Sequence, residues 1–348
     1  MSSLNANYLD KLSFTAQQLS TLRSLGECRG KQALFFKQSP EVLESLQLVA
    51  KIESSESSNR LEGIELPHKK IEELVLKETH PRSRSEQEIA GYRDVLNLIH
   101  ESGRDMPFTA NVILQLHGML YRYLANPGGR WKLTDNEIIE NHPDGSKRIR
   151  FTPTKAYLTP TAMTQLTENY TDALKEGRHD ALILIPLVIF DFVCIHPFSD
   201  GNGRMSRLLT LMLLYQVDYQ VGRYISLERI FEDSKVSYYE TLEASSRHWH
   251  AGKHDVNPWL NYFWGALLRA YREFEERVGV ITTSRGSKTE LIRLAIQRRV
   301  APFAMNEIES DCPGTSREMI RQVLRKMRDS GEIIVKGSGR GALWQKTA

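Results

Sequence analysis

Apolar residues recur every three to four positions over most of the chain, which predicts helices over 40–62, 85–101, 109–124, 161–175, 181–195 and 257–278. Capping residues stand where such helices would begin: Ser39-Pro40, Thr109, and Asn257-Pro258. Gly63, Gly103 and Gly177 punctuate the joins. One segment breaks the pattern. Glu137-Ile138-Ile139 and Arg148-Ile149-Arg150-Phe151 flank a Pro-Asp-Gly turn, which predicts a β-hairpin in an otherwise helical body. A lone hairpin there has a use if its edge pairs with an extended partner segment.

The last sixty or so residues follow a different order. Helices are expected over 289–299 and 304–311, then a third after Thr315/Ser316, with Met319, Ile320, Val323, Leu324 and Met327 on one face. Short strands at 333–335 and 342–344 would enclose a turn containing Gly337, Gly339 and Gly341. That is the order of a small α/β winged helix. The expected division is an N-terminal helical extension (1–45), a central domain (46–280) and a winged-helix domain (286–348). Arg317, Arg321 and Arg325 recur at four-residue spacing and form a positive stripe, with Arg340 in the turn between the strands. Such a stripe suits the phosphates or base edges of double-stranded DNA, and a protein partner is the alternative.

Composition adds constraints. From residue 285 onward there are 13 Lys/Arg against 7 Asp/Glu, whereas the whole chain carries only +3. A basic tail on a slightly acidic body implies two partners of different charge. No run is long and apolar enough for a membrane span, and the N-terminus lacks the order of a signal peptide. Cys28, Cys194 and Cys312 are far apart, as expected of reduced thiols in a cytoplasmic protein. A homo-oligomer is left open.

The candidate chemistry is concentrated in His196-Pro197-Phe198-Ser199-Asp200-Gly201-Asn202-Gly203-Arg204-Met205-Ser206-Arg207. An apolar run feeds into this stretch and another leaves it. It combines a general base, a metal-binding carboxylate, a bare glycine turn and two arginines. Glycine-freed backbone N–H groups at a helix N-terminus favour a bound polyphosphate. Phe198 is expected in the core, anchoring the loop. Tyr238, Tyr239, Trp249 and Trp259 read as core residues, with adenine stacking as the alternative. Glu86, Glu88 and Arg93 read as a solvated helix face, and His142 as a solvated turn residue.

These twelve residues match the H-x-F-x-(D/E)-G-N-G-R-x-x-R signature at every defined position, and the chain thereby resembles the Fic-domain family. The resemblance covers about residues 45–275 and implies a Fic-type helical bundle with a β-hairpin flap. It implies transfer of AMP from ATP to a protein hydroxyl, with His196 as base and Asp200 holding Mg²⁺. Gly201, Asn202 and Gly203 would cradle phosphates, with Arg204 and Arg207 as further phosphate ligands. Ser58-Asn59-Arg60-Leu61-Glu62-Gly63 resembles the family's inhibitory (S/T)-x-x-x-E-(G/N) motif, in which Glu62 would reach Arg207. Gly129-Arg130-Trp131-Lys132 resembles the opening of the flap, with Lys132 in place of an arginine. Ile149, Arg150 and Phe151 would then hold the target segment. The rival activities are removal of AMP, transfer of another phosphate group, and nucleotide sensing by a DNA-binding regulator.

Overall fold

The computed structural model describes residues 3–35, 40–141, 146–282, 287–297, 299, 302–312, 315–337 and 342–347. Ser39, His142 with the rest of the hairpin turn (143–145), and Arg340 lie outside the described residues. The helices run in the order α1 (Ala6–Leu9), α2 (Ala16–Phe35), α3 (Pro40–Leu61), α4 (His68–Leu76), α5 (Arg84–Ser102) and α6 (Ala110–Leu120). The hairpin β1 (Ile138–Asn141) and β2 (Lys147–Phe151) follows. Then come α7 (Thr159–Glu176), α8 (Ala181–Ile195), α9 (Asn202–Gln216), α10 (Leu227–Asp233), α11 (Lys235–Ser246) and α12 (Asn257–Thr282).

The centre of the fold is α8. Its residues 182–192 are all buried, and α7, α9 and α12 pack around it. A helix apolar on every side belongs in a core. Pro186 interrupts it without breaking it. Proline has no N–H to give the Leu182 carbonyl, and the Trp264 indole donates to that carbonyl instead, at 2.7 Å. Asp191, wholly buried on the same helix, accepts from the Ser3 backbone at 2.7 Å and from the Trp249 indole at 2.7 Å. Leu4, Leu9 and Leu25 belong to the same core as α8, and α3 runs straight through the boundary expected at 45/46.

The C-terminal module has its own core of Ile292, Ile296, Phe303, Ile308, Ile320, Val323, Leu324, Met327 and Ile333. It comprises α13 (Ser287–Gln297), β3 (Phe303–Ala304), α14 (Met305–Asp311), α15 (Arg317–Asp329), β4 (Ile333–Lys336) and β5 (Leu343–Lys346). The strands form an antiparallel sheet in the order β3-β5-β4. The two-residue β3 is one strand more than the sequence pattern predicts, being too short to register as a period. No described helix is long and apolar enough to cross a membrane.

Candidate active site

The loop between α8 and α9 carries the chemistry. His196 caps α8 in the left-handed region (φ 51°, ψ 61°), a conformation that a non-glycine residue holds only when its surroundings impose it. Those surroundings are explicit. Phe198 is fully buried, stacked 3.6 Å from the His117 ring, and the Asn202 amide exchanges hydrogen bonds with both its N–H (2.9 Å) and its carbonyl (2.7 Å). His117 also donates from Nε2 to the Asp200 carbonyl at 3.1 Å while accepting from the Gly129 N–H at 2.9 Å. Lys132 completes the support: its backbone N–H meets the Pro197 carbonyl at 2.9 Å and its ammonium meets the Ile195 carbonyl at 3.1 Å.

The His196 Nδ1 lies 3.2 Å from the Val193 carbonyl, which can only accept, so Nδ1 carries the proton and Nε2 the lone pair. Burial first, with Lys132 adding to it, pushes the imidazole pKa down to about 4. A neutral ring with an open Nε2 is a competent base at neutral pH.

Asp200 stands exposed at the loop, its side chain 62% accessible, and accepts from the Gly201 N–H at 2.7 Å. Burial pushes its carboxyl up, but Arg204, Tyr121 and the Gly201 amide outweigh this and hold it below the usual range. Gly201 begins α9 with φ +81°, so any side chain there is strained. Among the described residues no three His, Cys, Asp or Glu side chains converge as a metal cage. A single exposed carboxylate fits Mg²⁺, which completes its shell with phosphate oxygens and water.

The two arginines of the loop part company. Arg207 lines the cavity. Arg204 does not: it is 1% exposed, donates to Glu88 at 2.8 Å and to the Tyr121 hydroxyl at 3.2 Å, and reaches Asp200 only at 3.7 Å. Arg204, expected as a phosphate ligand, is thus engaged away from the cavity in this structure. The reason is Glu88, expected on a solvated face but buried on α5 together with Glu86 and Arg93.

Arg207 is held from upstream. Its Nε donates to the Ser58 hydroxyl at 2.9 Å, and its Nη2 donates to the Ser58 carbonyl at 2.8 Å and to Glu62 Oε1 at 2.7 Å. Glu62 also fills the space above the glycine turn: a Cβ on Gly203 would meet Glu62 Oε1 at 2.1 Å. The carboxylate thus occupies ground suited to an anion, beside the α9 N-terminus.

One cavity of about 620 Å³ is lined by Glu62, His196, Asp200, Gly201, Asn202, Gly203 and Arg207 on one side. The hairpin (Ile138, Ile139, Glu140, Arg150, Phe151) and α11 (Tyr238, Tyr239, Leu242, Glu243) form the other. Residues 107–214 match the family model described as Fic/DOC family. Over that span the chain is similar to a Fic domain. It is similar to a Fido domain-containing protein of Dictyostelium discoideum, 26% identical over 121 residues, or 35% of this chain and 78% of that protein. The fold is similar to a Fic family protein from Desulfovibrio desulfuricans (TM-score 0.63, 20% identity, 97% of each chain). It is also similar to a Fic domain containing signaling protein from Bacteroides thetaiotaomicron (TM-score 0.58, 23% identity, 71% of this chain and 95% of that one). A third such structure is Fic-1 from C. elegans (TM-score 0.58, 17% identity, 77% and 74%).

Around the Fic loop, some expected residues gather and others do not. Ser58, on α3, and Glu62, just past its end, both lie against Arg207. In the flap, Arg150 and Phe151 border the cavity while Ile149 is exposed; Ile138 faces Phe151 and Ile139 faces Ile149, so Arg150 sits in a bulge that breaks the alternation. Arg150 donates to Glu243 at 3.0 Å. Residues Ile138–Glu140 of β1 also border the cavity. Tyr238, Trp249 and Trp259 are buried, while Tyr239 is half-buried against the cavity. In the C-terminal module Arg317 pairs with Glu309 at 3.0 Å and Arg321 with Glu318 at 3.0 Å. Arg325 is exposed, without an ion-pair partner among the described residues. His117, Lys132 and Asn136 were not legible as support residues. Only the unusual lysine at the start of the flap offered a signal.

Proposed function

We propose that this protein transfers AMP from ATP to a Ser, Thr or Tyr hydroxyl of a protein, itself included, and that Glu62 restrains the reaction. The observation carrying this reading is one cavity shared by a neutral imidazole, an exposed carboxylate and a glycine-lined helix N-terminus. The triphosphate would lie over Gly201–Gly203, where backbone donors and the α9 dipole favour anions. The acceptor oxygen attacks the α-phosphorus as its proton passes to His196 Nε2. The bond from the α-phosphorus to the bridging oxygen breaks, and pyrophosphate leaves. Asp200 would hold Mg²⁺, which offsets charge on the leaving group. The target segment would add along the hairpin edge bordering the cavity.

In this reading Glu62 competes with ATP, because it takes the guanidinium of Arg207 and the space above Gly203 that a γ-phosphate needs. The test compares α- and γ-labelled ATP with wild type, His196→Ala and Glu62→Gly. The α-label should appear on protein, rise about tenfold or more in Glu62→Gly (the equivalent of ~1.4 kcal/mol) and vanish in His196→Ala. Transfer of γ-label instead would replace AMP transfer with kinase-like chemistry, and an unchanged Glu62→Gly would remove the inhibitory role.

The C-terminal module supports a further reading as a winged helix that binds duplex DNA. The exposed arginines of α15 and the positive charge of the tail support it over a protein partner. A full-length chain should shift a DNA duplex at low salt, less at higher salt, and not at all when Arg317→Glu, Arg321→Glu and Arg325→Glu are combined. Absence of any shift at low salt would leave a protein partner.

A further inference from the structure

Lys132 is 3% exposed, yet no carboxylate pairs with it among the described residues. Its ammonium is held by the Asn136 side-chain oxygen at 2.7 Å and the Ile195 carbonyl at 3.1 Å. Asn136 in turn donates to the Phe198 carbonyl at 3.1 Å. A buried, unpaired cation costs several kcal/mol in general, so its retention asks for a reason. The Ile195 carbonyl ends α8, so the negative end of that helix dipole adds to the charge of Asp135, which acts on Lys132 from beyond ion-pair distance. His196 is the next residue.

We propose that Lys132 is a positioning residue for His196: its ammonium straps the loop to the end of α8 and sets a positive charge beside the imidazole. The charges around the ring make the need concrete. Glu62, from the end of α3, and Asp200, from the loop, both favour a protonated ring. Across the cavity Glu140 and Glu243 are balanced by Arg148 and Arg150, and Glu62 is shared with Arg207. Glu137 and Lys235 at the rim are opposite in sign. Burial and Lys132 are what oppose the two acids. Burial also pushes the lysine itself down to about 8, which leaves it mostly charged at neutral pH.

This inference rests on the base role proposed for His196, but its test needs no turnover. Histidine-labelled protein is titrated by NMR, and the His196 ring signal is assigned by its loss in His196→Ala. Lys132→Gln keeps hydrogen-bonding capacity and removes the charge; Lys132→Arg keeps the charge. The His196 midpoint should stay near wild type in Lys132→Arg and rise by about one pH unit or more in Lys132→Gln. An unmoved midpoint in Lys132→Gln, with the His254 signal and melting curve unchanged, would overturn the proposal. Lys132→Met, of similar length and uncharged, serves in the same way if the glutamine variant does not fold. A Lys132-dependent titration in a protein that transfers nothing would count against AMP transfer alone.

Discussion

At the scale of single residues, the site depends on charges that never touch the cavity. Arg204 is buried against Glu88 and Tyr121, and through its 3.7 Å approach it biases Asp200 toward the ionised form. Removing Glu88 therefore has two consequences. Glu88→Ala strands a buried guanidinium, which should cost about 3 kcal/mol of stability. Urea denaturation should show this as a lower midpoint. A Glu88→Gln variant retains an acceptor for Arg204 and should lose less. Equal losses in the two variants would mean that the charge of Glu88, and not the packing and acceptor that glutamine keeps, is what it contributes.

At the scale of elements, α8 holds the loop in place only if its interior proline is accommodated. The Trp264 N–H stands in for the missing Pro186 N–H at the Leu182 carbonyl. Trp264→Phe should leave that buried carbonyl unsatisfied and cost roughly 1–3 kcal/mol. In Pro186→Ala the backbone N–H returns to Leu182, so the same indole deletion should cost less. The double-mutant cycle, read by denaturant midpoints, checks this, and additive losses would refute the substitution of one donor for another. The helix itself was legible: a run apolar but for Asp191 predicts 181–195, the bounds observed for α8. The Fic loop was legible because its chemistry is contiguous in sequence. The C-terminal half of α3 was harder, because Ser54, Ser55, Ser57, Ser58 and Asn59 are polar yet buried, against the usual inside-outside pattern. Glu88 and Lys132 were beyond pattern reading altogether. A charged residue reads as solvated unless its distant partner is known, and Arg204 and Ile195 lie far along the chain.

At the scale of the whole molecule, the buried histidines link the fold to pH. Burial, the largest cause in each case, pushes His100 down to about 3 and both His117 and His254 down to about 4, from a usual value of 6.5. His196 moves the same way. A folded state that resists protonation loses stability wherever the unfolded chain takes up protons more readily. The contribution of these rings is whole above pH 6.5, declines as pH falls, and is lost through the range near 4. At pH 5 each fully buried ring accounts for about 2 kcal/mol of that decline. Melting temperatures should accordingly fall steadily from pH 7 to pH 5. His254 stacks on Tyr8 at 4.4 Å and meets the Ser3 hydroxyl at 2.9 Å, so it ties the N-terminal segment to the core beneath α8. His254→Gln removes one titrating ring from that tie, so the drop between pH 7 and pH 5 should be smaller than in wild type, even if stability at pH 7 is reduced. An equal drop would show that this ring takes up no extra proton on unfolding.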